Sequence, residues 1–219
     1  MPLRAPNGFG MMTREETDAH FTRRLESFSD IVFGLSLSIV ALQLVPPSHP
    51  IDLFRHPLGL FGFGISFGIV AMFWTYQHRL FLHFFFPDRI NIGLMFVKLA
   101  LIALIPFALQ LYLKFVLDPV ALGIYLGTFG LIMAINAITM LRGFLRFWNR
   151  FDTSFQNQYW IRLVRICVIA VLLLGAAVAA QFGQRWYIAS IALIPISQLI
   201  IRRLVRRVPS SISKGFADA

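Results

Sequence analysis

Long apolar segments, separated by short polar or proline-containing breaks, recur along the whole chain. Each segment approaches the roughly 20 residues that a helix needs to cross the hydrocarbon core of a bilayer. A transmembrane β-barrel would instead show strands of about ten residues with alternating apolar positions, and these segments do not alternate. We therefore predict an all-α membrane protein with six transmembrane helices per chain, over residues 28–45, 58–80, 92–113, 120–141, 162–181 and 185–205.

The breaks between the predicted spans contain residues that end helices. Proline follows the first span and precedes Asp88 after the second. Proline lacks the amide donor that continues a helix, and it disfavours helical backbone in the residue before it. We expect residues 142–159 to form a polar and aromatic link. Residues 21–207 then form one membrane domain, between flexible tails at residues 1–20 and 208–219.

Basic residues are distributed unevenly between the predicted loops. The chain of 219 residues is 58% hydrophobic and only 14% charged, and its formal net charge is +10. With the N-terminus inside, sixteen of the twenty Lys and Arg residues fall on the cytoplasmic side, three fall outside, and Lys98 lies within the third span. This asymmetry follows the positive-inside rule, so both termini are predicted to be cytoplasmic. It also explains the basic composition without a nucleic-acid partner.

The sequence does not contain the signatures of the common enzyme classes. There is no H-E-x-x-H, no G-x-S-x-G and no Gly-rich phosphate loop, and the ten acidic residues are scattered, mostly in predicted loops. The single cysteine, Cys167, lies inside an apolar segment, and one cysteine forms neither an intrachain disulfide nor a metal cluster. We therefore expect a protein that is not an enzyme and has no cofactor.

The first span combines a regular apolar face with polar residues. Small and hydroxyl-bearing residues lie along it, and the ionisable Asp30 lies at its start, where burial is costly. For an arbitrary membrane helix, such a face contacts lipid or packs on another helix; these polar features favour a functional role. The residues that share the face, at steps of three or four, are Ile31, Leu35, Ser38, Leu42 and Val45.

Asp30 has several candidate roles. It can stabilise the helix dipole, pair with Arg24, or pair with another span, and together these structural roles outweigh a role as a direct ion ligand. Trp74 and His78, near the end of the second span, are four residues apart and share a face. Their ring nitrogens can hydrogen-bond the Asp30 carboxylate, or the two rings can belong to an aromatic belt at the membrane interface. The residues alone favour neither interpretation.

Polar residues also occur in the middle of the third and fourth spans. Lys98 is costly in a bilayer unless it snorkels to the interface or faces protein, and the sequence does not decide between the two. Pro106 predicts a kink in the third helix. Asn136 in the fourth span is a candidate for a hydrogen bond between helices.

Three motifs follow one another along the first three spans. They are Arg24-x-x-x-Phe28-Ser29-Asp30, Trp74-x-x-x-His78-Arg-Leu-Phe, and Leu-Ile-Pro106-Phe107. Together they resemble the lysosomal potassium channel family (transmembrane protein 175) in its bacterial form. The motifs cover roughly residues 20–145, and the remainder resembles the family in its number of spans.

The resemblance implies a homotetramer with one six-span unit per chain, in which the first span of each subunit lines a central pore. Carried over by position, the pore face is Leu35, Ser38, Ile39 and Leu42. The structural network that sets the first helix against the second is Arg24, Phe28, Ser29 and Asp30, with Trp74 and His78.

The implied function is a passive, potassium-favouring cation channel in a bacterial plasma membrane. Its partners are potassium ions, the lipid bilayer and copies of itself. Leu35 would form a hydrophobic constriction, and a ring of Ser38 hydroxyls would contact potassium transiently, with no fixed metal site. Related channels often have Thr in this layer, so the Ser ring implies modest selectivity, and a proton leak through the same path is compatible with it.

Two other functions stay open at this point. A proton-coupled secondary transporter would use Asp30 and His78, although the sequence shows neither an inverted repeat nor a pair of Gly- or Pro-broken helices. A membrane scaffold without transport activity is the other alternative, and only the motif resemblance argues against it.

Overall fold

Five long helices make up most of the part of the chain that the structure describes. The computed structural model describes residues 13–42, 44, 49, 58–83, 85–115, 118–147, 153–183, 195–196 and 199. Each helix contains a stretch that is long and apolar enough to cross a membrane. The sixth predicted span, 185–205, lies almost entirely outside the described residues. The helices are α1 (Arg14–Leu42), α2 (Leu58–His83), α3 (Arg89–Lys114), α4 (Pro119–Phe147) and α5 (Thr153–Ala179).

The first helix begins much earlier than its apolar segment. We predicted a flexible tail up to residue 20, whereas α1 begins at Arg14. Thr13 and Glu16 form a capping box: the Thr13 amide donates to the Glu16 carboxylate at 2.9 Å, and the Glu16 amide donates to the Thr13 hydroxyl at 3.3 Å. These two bonds satisfy amides that a helix start otherwise leaves unpaired, so the polar segment before the membrane span is helical.

The predicted link at residues 142–159 is also largely helical. α4 continues to Phe147 and α5 begins at Thr153. Tyr159 explains part of the difference, because its ring stacks on Phe144 at 4.3 Å and its hydroxyl donates to the Met140 carbonyl at 2.5 Å. Residues such as Tyr159, which we predicted to belong to a link, therefore pack α5 onto α4.

Asp88 and Arg142 join the beginning of α3 to the end of α4. Asp88 is the N-cap of α3, and its side chain accepts from the Asn91 amide at 2.7 Å. Arg142 donates to Asp88 at 2.5 Å and to the Asn91 side chain at 2.9 Å. α3 then runs as one helix through Pro106.

The packing is centred on α3 and α4. α5 packs on α4, α4 on α3, and α1 on both α3 and α2, whereas α2 and α3 make few close backbone contacts. Gly130 allows the close approach of α4 and α5, because a Cβ atom there would lie 2.8 Å from the Leu174 side chain. A short 3₁₀ turn, Ala180–Phe182, ends at Gly183, whose φ of +125° favours glycine. The largest buried side chains include Phe33, Phe73, Lys98, Phe144, Met95, Ile102 and Ile132.

Candidate functional site

One face of α1 is not covered by any other described residue of the chain. Leu35 is 59% exposed and Leu42 is 83% exposed, and Ser38 and Ile39 are also exposed between them. The Ser38 hydroxyl donates to the Gly34 carbonyl at 2.9 Å, and its oxygen keeps lone pairs with which it can accept. All four residues that the resemblance assigns to the pore therefore lie on an exposed face that carries a hydroxyl group.

The opposite face of α1 is buried against the neighbouring helices. Leu25, Phe33 and Val40 are buried in the core. Ser36 is also buried, and its hydroxyl donates to the Val32 carbonyl at 2.8 Å. The Ser29 hydroxyl is buried and has no hydrogen-bond partner among the described residues. The two serines at positions 36 and 38 thus make the same bond within the helix but face opposite environments.

Asp30 and Trp74 join α1 to α2. The indole Nε1 of Trp74 donates to the Asp30 carboxylate at 2.8 Å. The sequence left open whether the indole bonds Asp30 or belongs to an aromatic belt, and in the structure it forms the hydrogen bond. An anionic acceptor makes such a bond shorter and stronger than one between neutral groups.

His78 pairs with a residue that the sequence analysis did not single out. Its Nδ1 lies 3.1 Å from a carboxylate oxygen of Glu26, and its ring stacks on Trp74 with the ring centres 5.9 Å apart. The imidazole therefore contacts Glu26 and not Asp30. The sequence did contain a signal: Glu26 and Asp30 are four residues apart on α1, as Trp74 and His78 are on α2, and antiparallel helices align such pairs.

Arg24 and Phe28 lie beside this contact without joining it. Arg24 is exposed and lines an open groove along the beginning of α1, together with His20, Arg23 and Phe28. The Phe28 ring lies 6.1 Å from the ring of Phe96 on α3. The predicted network therefore divides: Asp30, Trp74 and His78 hold α1 against α2, and Phe28 contacts α3.

Lys98 lies at the centre of a buried polar cluster. Its side chain is 1% exposed, and its Nζ donates to the Gln77 carbonyl oxygen on α2 and, at 2.9 Å, to the Asn136 carbonyl oxygen on α4. The Gln77 amide nitrogen also donates to the Met95 sulfur at 2.8 Å. Lys98 therefore faces protein and does not snorkel, and Asn136 does form a hydrogen bond between helices. Gln77 was not identified from the sequence.

Neither α1 nor its surroundings contains a metal-binding cluster in the described part of the chain. No group of three or more His, Cys, Asp or Glu side chains there is placed to hold an ion. An ion at the face formed by Leu35, Ser38, Ile39 and Leu42 would meet the Ser38 hydroxyl and apolar side chains of one chain. A single copy of this face does not surround an ion.

The described residues thus define a multi-pass helical membrane protein whose first helix exposes a face of leucine, isoleucine and serine. Residues 24–106 match the family model described as endosomal/lysosomal potassium channel TMEM175. This match confirms, over these residues, the resemblance inferred from the motifs.

Two bacterial relatives match about half of this chain. One is a potassium channel of Marivirga tractuosa, 29% identical over 109 residues, which are 50% of this chain and 42% of the relative. The other is a potassium channel of Chamaesiphon minutus, 29% identical over 119 residues, which are 49% of this chain and 59% of the relative. The matched region thus spans about half the length of these curated relatives.

The fold is similar to that of a solved potassium channel structure. A crystal structure of a variant of the potassium channel MtTMEM175, in complex with a nanobody–MBP fusion protein, superposes with a TM-score of 0.61. The alignment covers 95% of this chain and 99% of that chain at 15% sequence identity. At that identity the likeness shows the fold alone.

Proposed function

We propose that this protein is a passive cation channel that favours potassium, and that four copies place α1 around a central pore. The observation that carries the proposal is the exposed face of α1 formed by Leu35, Ser38, Ile39 and Leu42. The two bacterial relatives, which are named potassium channels, support it. The proposal assigns no catalytic role to any residue.

Four copies are needed because one helix face does not enclose an ion path. Copies related by a closed rotational symmetry bring the same face together around the axis. Rings of Leu35 and Leu42 would then close the path sterically and by excluding water, as hydrophobic constrictions do in other channels. The same assembly would cover the apolar side chains that α1 exposes in the single chain.

Ser38 supplies the polar layer in this pore. Its hydroxyl hydrogen is used by the Gly34 carbonyl, so its oxygen is free to replace part of the hydration of a passing cation. The contact is transient, since one oxygen per subunit does not replace a full hydration shell. Selectivity for potassium over sodium should therefore be modest, and protons can leak through the same path.

Orientation follows from the distribution of Lys and Arg. With six spans and both termini cytoplasmic, Arg24, Asp30, Trp74 and His78 lie at the cytoplasmic end of the pore. The proposed location is the plasma membrane of a bacterium. The contact between α1 and α2 then orients the pore helix at its cytoplasmic end, while ions pass further along α1.

A proton-coupled transporter is the alternative that the same geometry allows. Glu26, Asp30 and His78 are titratable groups that lie together along the contact of α1 with α2. In a carrier, these groups would bind and release protons during transport. In the channel, these groups hold the helices together, and their protonation is not coupled to the movement of the ion.

Flux measurements in liposomes distinguish the two functions. Purified protein in potassium-loaded liposomes should pass potassium down its gradient with no proton gradient present and no coupling ion. A flux that requires a proton gradient and saturates with substrate would contradict the channel. Empty liposomes set the background, and a proton ionophore removes any electrical limit on the potassium flux.

A further inference from the structure

The ammonium group of Lys98 has an unusual position for a charge inside a membrane helix. It is buried, and it donates to the neutral amide oxygens of Gln77 and Asn136. No carboxylate of the described residues lies within 4.0 Å of it. A buried charge is costly unless good hydrogen bonds satisfy it, so the positions of Gln77 and Asn136 are strongly constrained by it.

Gln77 is held by both ends of its amide group. Its carbonyl oxygen accepts from Lys98, and its amide nitrogen donates to the sulfur of Met95, which lies one turn before Lys98 on α3. A side chain held at both ends has little rotational freedom. The two hydrogen bonds of Gln77 therefore oppose a rotation of α2 about its own axis relative to α3.

This tether matters because the hydrogen bonds of Gln77 join α2 to α3 at a level where α2 otherwise packs through apolar side chains such as Leu80. Its backbone makes few close contacts with α3. Phe73 contacts Phe129 of α4 with ring centres 5.8 Å apart, and Ser66, about two turns before Phe73 in α2, contacts the Tyr125 hydroxyl at 3.2 Å. The buried amide of Gln77 is thus the polar connection nearest to the residues that hold α1.

Gln77 is close in the sequence of α2 to Trp74 and His78, the two residues that contact α1. Trp74 precedes it by three positions and His78 follows it directly, so all three belong to one turn. At a radius of about 6 Å, a rotation of α2 by about 20° displaces a side-chain tip by about 2 Å. Such a shift breaks a hydrogen bond of 2.8 Å like that between Trp74 and Asp30.

We propose that Lys98 is a positioning residue: its buried ammonium sets the rotation of α2 through Gln77, and thereby holds Trp74 and His78 against Asp30 and Glu26 of α1. The connection runs from Asn136 on α4 through α3 and α2 to the exposed helix. The expected consequence of this coupling is control of pore opening, and that consequence rests on the proposed function. Ion selectivity, which depends on the Ser38 layer, is not affected.

Spectroscopy tests the coupling without reference to transport. The protein, labelled with 5-fluorotryptophan and reconstituted in nanodiscs, gives a fluorine signal for Trp74 that the Trp74→Phe variant assigns. Lys98→Met should shift this signal and leave that of Trp160, which packs on Phe144, in place. The matched control is Lys114→Met, on the exposed end of α3, which should shift neither signal.

A second variant covers the case in which Lys98→Met does not fold. Gln77→Met cuts the connection to α2 while the bond from Lys98 to Asn136 stays, and it should produce the same shift of the Trp74 signal. Lys98→Arg, which keeps the charge and the donors, should restore most of the wild-type signal. An unshifted Trp74 signal in a folded Gln77→Met variant overturns the proposal.

Single-channel recording tests the consequence for the pore. Gln77→Met should change the ratio of open to closed time by about five- to thirty-fold, the factor expected for losing one such hydrogen bond, with unit conductance and the potassium-to-sodium ratio unchanged. A changed potassium-to-sodium ratio with an unshifted Trp74 signal contradicts it. If the wild-type protein carries no current but the Trp74 signal shifts, the channel function fails and the coupling stands.

Discussion

The indole Nε1 of Trp74 donates a hydrogen bond of 2.8 Å to the carboxylate of Asp30, and one turn away on each helix His78 pairs with Glu26 at 3.1 Å. The two pairs show that α1 and α2 run antiparallel, because the earlier residue of one helix meets the later residue of the other. Asp30 precedes Ile31, the first member of the exposed face. The motif that carries the family resemblance therefore lies beside the proposed ion path.

Removing the charge of Asp30 should weaken the contact between α1 and α2. In Asp30→Asn the acceptor is neutral, so we expect a loss of about 1 kcal/mol of coupling with Trp74. A double-mutant cycle with Trp74→Phe measures this coupling through the tetramer fraction seen by native mass spectrometry. Assembly or gating should suffer more than selectivity. A pure change in selectivity with intact assembly would place Asp30 in the ion path.

The two serines on opposite faces of α1 provide a matched test of the polar layer. Both hydroxyls donate to the carbonyl four residues earlier, but only Ser38 is exposed. Ser38→Ala should lower the potassium-to-sodium permeability ratio by about two- to tenfold, the range for the loss of one hydrogen bond. Ser36→Ala should leave the ratio unchanged. Reversal potentials under bi-ionic conditions measure both variants, and equal effects would contradict the assignment.

The ring of Leu35 side chains should be a barrier to the passage of potassium. Leu35→Ala widens the ring and reduces its exclusion of water, so basal potassium flux should rise by about an order of magnitude, a change of about 1.4 kcal/mol in barrier height. Leu131→Ala is the control, because Leu131 is similarly apolar and exposed but lies on α4. If both variants conduct like the wild type, α1 does not line the path.

Two glycines differ sharply in the space around them. An added Cβ at Gly130 would lie 2.8 Å from the Leu174 side chain and 3.1 Å from its backbone nitrogen, whereas one at Gly175 would meet nothing within 4 Å. Gly130→Ala should therefore destabilise the α4–α5 contact by about 1–3 kcal/mol. Gly175→Ala should be neutral or stabilise its helix by up to about 1 kcal/mol. Thermal unfolding in detergent distinguishes them, and equal melting temperatures would contradict the close approach.

The fold follows from the sequence wherever hydrophobic length is decisive. For the first five spans, most of the predicted ends lie within a few residues of the observed helix ends. This agreement is expected because about 20 apolar residues have no stable alternative to a helix inside a bilayer. The errors lie where polar residues extend a helix. The capping box of Thr13 and Glu16 begins α1 early, and Tyr159 packs α5 on α4 in what was taken for a link.

The sequence by itself determined the first five spans, the order of the motifs and that leucines and a serine share one face of α1, since periodicity places residues on a helix without reference to other helices. Only the tertiary structure decided the partners: Glu26 for His78, Trp74 for Asp30, and the burial of Lys98. Partners more than twenty residues apart depend on which helices pack together and at what rotation. That choice is made by the packing of the whole bundle; a local spacing such as that of Glu26 and Asp30 is compatible with the pairing but does not select it.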